Sequence, residues 1–128
     1  MSKVLILPGD GIGQEIVAQA LKVIDYLNKN HQLNMTLVHG LVGGAAYDET
    51  ASPLPQATLD AAHECDSILL GAVGGYQWEK LERDLRPERG LLGLRREMDL
   101  FSNLRLRFYT HNLPVPQLLK KPWFLDWI

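Results

Sequence analysis

At 128 residues, with 46% hydrophobic and 22% charged residues, the chain has the size and composition of a single globular domain with its own core. Its net charge of -2 excludes the basic field that nucleic acid or anionic lipid would call for, and leaves small neutral or anionic ligands as partners. The amino terminus, MSKVLILPGD, holds no apolar run near the about twenty residues of a membrane span, and the single cysteine, Cys65, forms no internal disulfide, so a cytoplasmic protein is expected.

Lys3 to Leu7 is an unbroken apolar run closed by Pro8-Gly9, the pattern of a strand buried on both faces of a parallel sheet. The turn Gly9-Asp10-Gly11-Ile12-Gly13 lacks the spacing of a dinucleotide fingerprint. Its glycines still permit close backbone approach at a helix N-terminus, where free amides favour an anion or the polar part of a cofactor. A tight connection with no ligand is the equal alternative. From Gln14, apolar residues at Ile16, Val17, Ala20, Leu21, Val23, Ile24 and Leu27 recur at helical steps and stop at Asn28-Lys29-Asn30.

Met35 to Val38 reads as a second strand, and Gly40 to Ala46 with Asp48 to Pro55 as one long loop. Pro55 suits the first turn of a helix running through Leu59, Ala62 and Cys65, and Ser67 to Val73 repeats the buried-strand pattern. Strands alternating with helices give an α/β fold with a parallel sheet, and Gly71 to Trp78 leaves the last strand at the edge where such sheets bind ligands. Glu79 to Arg89 is charged throughout and reads as a solvated face or a lid, with Pro87 placed to begin a helix.

In a helix over Glu88 to Met98, Leu91, Leu94 and Met98 share a face, and Arg95 stands beside Leu91 and Leu92 at the surface. A fixed cation next to an apolar wall suits an acid with one alkyl group, because a guanidinium binds carboxylates bidentately. An ordinary solvated arginine has the same pattern, so the spacing alone does not decide.

The segments KVLILPGDGIGQEIV, LVGGAAYDETASPLPQATLDA, SILLGAVGGYQWEKL and RPERGLLGLRREMDLFSNLR, in this order, resemble the amino-terminal third of the 3-isopropylmalate dehydrogenases of leucine biosynthesis, over Lys3 through Arg105. RPERGLLGLR and LVGGAA separate that family from the related isocitrate and tartrate dehydrogenases, while Gln14 stands where the family usually has proline. The resemblance implies oxidation and decarboxylation of 3-isopropylmalate with NAD and Mg or Mn, in a homodimer. It implies that Arg95 and Arg105 hold substrate carboxylates and that Glu88, Leu91 and Leu92 surround the isopropyl group. It implies further that Gly71, Ala72, Val73, Gly74, Gly75, Trp78 and Asp84 belong to a stretch lining the cofactor site.

On this reading residues 1–105 are the amino-terminal part of the dehydrogenase α/β domain, a partial and truncated parallel-sheet unit, and residues 106–128 are an irregular tail outside the family pattern. That tail, with Pro114, Pro116 and Pro122, has no strand or helix period. Read one nucleotide out of register, Phe108-Tyr109 forces leucine, Trp123-Phe124 valine, Asp126-Trp127 leucine and Trp127-Ile128 aspartate, letters that fit the family's own continuation. A single-base deletion near the Arg105 codon accounts for this. The family's tyrosine and lysine acid/base pair and its metal-binding aspartates then lie beyond the chain. Asp10, Asp48 and Asp99 do not replace them by motif, so no turnover is expected. The alternatives are a weak anion or nucleotide module, or a subunit-interaction module.

Overall fold

The structure, a computed structural model, describes residues 2–104. The expected tail at 106–128 and Arg105 lie outside the described residues. Three strands and four helices follow one another among the described residues: β1 (Lys3–Gly9), α1 (Ile12–His31), β2 (Thr36–His39), α2 (Gly44–Thr50), α3 (Gln56–Glu64), β3 (Ser67–Ala72) and α4 (Pro87–Glu97). Short 3-10 turns at Tyr76–Trp78 and Arg83–Leu85 lie between β3 and α4.

The strands form one parallel sheet in the order β2-β1-β3. Lys3 faces Thr36 and Ile6 faces His39 on one side, while Val4 faces Ser67 and Gly9 faces Ala72 on the other. As the apolar run implies, β1 is buried on both faces. Leu5 and Leu7 pack with Val42, Ala62 and Leu94, whereas Val4 and Ile6 pack with Val17 of α1. The two crossovers thus lie on opposite faces, as connections of one hand must when the first runs from β1 out to β2 and the second runs back from β2 past β1 to β3. Ligands of such sheets bind outside the carboxyl ends of the strands at this reversal, here between β1 and β3. No helix among the described residues is long and apolar enough to cross a membrane.

Four local expectations are corrected. Pro8-Gly9 does not end β1: the pairing with β3 passes over Pro8 and resumes at Gly9, and β2 pairs no farther than Ile6, so the missing N–H interrupts no ladder. The second strand starts at Thr36 because both backbone groups of Met35 are bonded to the side-chain amide of Asn28, at 3.0 Å each. The long loop contains a helix, α2, whose first amides find an acceptor on Asp10, 34 and 35 residues upstream. Pro55 is the residue before α3 rather than in its first turn, with an extended ψ of 148°, and Cys65 lies just past the helix end. Pro87 does open α4, where its missing N–H would have had no helical partner.

Candidate functional site

The carboxyl ends of β1 and β3 are joined by Asp10, which is 2% exposed. Its Oδ2 accepts the N–H of Gly44 at 2.9 Å and of Gly74 at 2.8 Å, and its Oδ1 accepts the N–H of Ala45 at 2.7 Å. The Asp10 N–H donates to the Ala72 carbonyl at 2.6 Å. A carboxylate at a helix start complements the partial positive charge of the first-turn amides, which stabilises α2 where the local sequence offers no capping side chain. The turn expected to offer amides to a ligand therefore directs an anion of its own into α2.

The chain leaving β3 runs under that helix. Trp78 is buried, its indole N–H donating to Asp48 Oδ1 of α2 at 3.0 Å. A Cβ on Gly44 would overlap the Trp78 ring, so the glycine at the start of α2 is what lets the indole lie against it. Gly74, at φ +114°, lies against α4: a Cβ there would come 2.9 Å from Glu88 Oε1. α2 and the first turn of α4 thus flank the same short strip, Val73 to Trp78.

On α4, Pro87, Gly90 and Leu94 are buried, and Glu88, Leu91, Leu92 and Arg95 form the adjoining stripe at steps of three and four residues. Leu91 is half-buried, while Leu92 and Arg95 are exposed on the same helix. A cleft of about 400 Å³ is lined by Gly75, Trp78, Glu79, Arg86, Pro87 and Glu88. The structure brings Gly75, Trp78 and Glu88 together there, with Gly74 against Glu88 beside the lining. Gly71 and Ala72 lie within β3 instead, where a Cβ on Gly71 would overlap the Pro8 carbonyl oxygen. Asp84 is exposed and paired with Arg89 at 2.6 Å, outside the cleft lining. Among the described residues no three of His, Cys, Asp and Glu are grouped to hold a metal ion.

Sequence reasoning missed Asp10 and Asp48 as structural partners of the site, and Glu79 and Arg86 as cleft residues. The available signal was Asp10 itself: a carboxylate directly after a strand buried on both faces must find hydrogen-bond donors in the protein.

The family model for isocitrate/isopropylmalate dehydrogenases matches residues 3–126. The chain is 52% identical to the 3-isopropylmalate dehydrogenase of Hydrogenovibrio crunogenus over 118 residues, which is 92% of this chain and 33% of that protein. It is 60% identical to the enzyme of the same name from Methylococcus capsulatus over 103 residues, 80% of this chain and 29% of that one. Among solved structures, the apo form of a β-decarboxylating dehydrogenase from Thermococcus kodakarensis is similar with a TM-score of 0.62 and 25% identity, over 79% of this chain and 28% of the other. The chain spans about a third of the length of the curated relatives it matches.

Proposed function

The chain belongs to the isocitrate/isopropylmalate dehydrogenase family, and from that membership we propose that it is the amino-terminal portion of a homodimeric enzyme that oxidises and decarboxylates 3-isopropylmalate. Arg95 holds one substrate carboxylate, and Arg105, outside the described residues, another. Glu88, Leu91 and Leu92 surround the isopropyl group. The observation that supports this most is the α4 stripe: Glu88, Leu91, Leu92 and Arg95 share one surface of a helix whose first turn touches Gly74 at the exit of β3.

The cleft beside that stripe, at about 400 Å³, has room for the nicotinamide and ribose end of NAD, with the Gly75 backbone, the Trp78 edge and the Glu88 carboxylate as its walls. When bound, NAD takes up a hydride. The described residues by themselves do not fit a divalent metal, since no three ligating side chains converge, and no step is assigned through one. Within this portion the work is binding: Arg95 orients the acid and the leucines exclude water from its alkyl end. The 128 residues by themselves are proposed to give no turnover, since the resemblance assigns none of the described residues to the family's acid/base pair.

The test is NAD reduction with 3-isopropylmalate and Mg or Mn. It compares the 128-residue chain with a full-length form, in which residues 1–105 are followed in frame by the remaining two thirds of the family sequence. The full-length form is expected to reduce NAD and the short chain to give none. Arg95→Ala in the full-length form should lower kcat/KM by roughly a hundredfold, as loss of a desolvated charge partner does. Turnover by the short chain alone would sink the proposal, and an unchanged kcat/KM in Arg95→Ala would remove Arg95 from the substrate.

A further inference from the structure

We infer that Asp10 and Asp48, both bonded through α2, are positioning residues that hold the Val73–Trp78 strip in the shape that binds the cofactor. The inference rests on the reading of that strip as the cofactor edge and adds to it the groups that set its geometry.

The argument starts from burial. Asp10 is a carboxylate with 2% exposure, and among the described residues it makes no ion pair with a cation. Both oxygens are instead spent on backbone amides from two separate parts of the chain: Gly44 and Ala45 at the start of α2, and Gly74 after β3. Its own amide is bonded to Ala72, so Asp10 holds the last residue of β3 from one side and the second residue beyond it from the other. Gly74 has φ +114°, a region a flexible glycine occupies only as one choice among several. The Asp10 bond removes that choice. Four residues further along, Asp48 accepts the Trp78 indole N–H, and the Trp78 ring lies on Gly44. The strip is therefore fastened at Trp78 to α2 itself, and at Gly74 to Asp10, the residue that follows the central strand and accepts the first amides of the same helix. Neither carboxylate lines the cleft; Asp48 acts through Trp78, which does, and Asp10 through Gly74, the residue before the cleft-lining Gly75.

The experiment uses the full-length form, with steady-state kinetics and amide hydrogen exchange on the same preparations. Asp10→Asn keeps one acceptor oxygen but sets an NH2 group against a backbone N–H, so at least one of the bonds is lost. The expected result is a KM for NAD raised about tenfold with the KM for 3-isopropylmalate nearly unchanged. Exchange should be faster at Gly44, Ala45 and Gly74, and unaltered at Val4 to Leu7. A fall in kcat with both KM values unchanged would mean a loss of folded enzyme only and would overturn the inference, as would unaltered exchange at Gly74. Asp48→Ala keeps the test open if Asp10→Asn does not fold. It should raise the KM for NAD, and Asp48→Asn, which still accepts the indole N–H, should restore it; equal values for the two variants count against the inference. NAD that protects no amide between Val73 and Trp78 in the unsubstituted enzyme would overturn the cofactor-edge reading itself, a failure visible before any substitution is made.

Discussion

Alanine at Gly90 is expected to lower the stability of the folded chain by more than about 2 kcal/mol, whereas alanine at Gly93, one turn further along α4, should leave it unchanged or raise it by up to about 1 kcal/mol. A Cβ on Gly90 would overlap the carbonyl oxygen of Pro53 and come 3.0 Å from its carbon. Both are backbone atoms and have no rotamer to escape into. That same oxygen accepts the Gly43 N–H at 2.9 Å, so displacing it loosens the approach to α2 as well. A Cβ on Gly93 meets only the Cδ2 methyl of Leu54, at 3.1 Å, the free end of a flexible side chain. There the backbone entropy saved by replacing glycine within a helix decides the sign. Urea unfolding of the two variants beside the parent measures the difference. Equal midpoints would mean that α4 does not dock against the Pro53 loop, and the placement of the whole Glu88 to Arg95 stripe would fall with it.

A second pair on the same helix separates stability from recognition. Leu94 is 3% exposed and packs with Leu5, Leu7 and Val42, so Leu94→Ala should cost about 2–5 kcal/mol. Leu92 is 51% exposed, and Leu92→Ala should alter the unfolding free energy by less than about 1 kcal/mol. Under the proposed function its effect appears in substrate choice. The preference of the full-length form for the isopropyl substrate over one with an unbranched chain should narrow by about tenfold, the worth of one or two alkyl contacts in such a pocket. Denaturation curves and competing-substrate kinetics check both halves. A severe loss of stability in Leu92→Ala would place that side chain in the core and take it out of the site.

How far the sequence revealed this arrangement depended on how local the cause was. β1, α1, β3 and α4 were readable because each carries its own local signal, an unbroken apolar run in the strands and a helical period in the helices. The apolar run Val4 to Leu7 needs no partner to identify it, and Leu91, Leu94 and Met98 mark one side of α4 by spacing alone. α2 was not readable: Gly43-Gly44-Ala45-Ala46 looks like a loop because its capping carboxylate belongs to Asp10, and its first glycine is there to make room for Trp78. Trp78 itself appeared to be a loop aromatic, since nothing near it in the chain indicates burial against a helix 30 residues earlier. On α4, Leu91, Leu92 and Arg95 adjoin one another as their spacing implied, whereas Glu88 entered only through the family resemblance. The link from that helix to the exit of β3 is a contact between Glu88 and Gly74, which no periodicity contains.

The position of β1 in the middle of the sheet has a consequence for synthesis. β1 leaves the ribosome before either of its neighbours and acquires the second only much later, because the Lys3 N–H is satisfied by Asp66 from 63 residues later and Gly9 pairs with Ala72. At the usual about 5–20 residues per second, Val4 to Leu7 wait for several seconds as an uncovered apolar ribbon. Throughout that interval the nascent chain presents a ready target for the chaperones that scan emerging polypeptides, and a hazard to neighbouring chains on the same message.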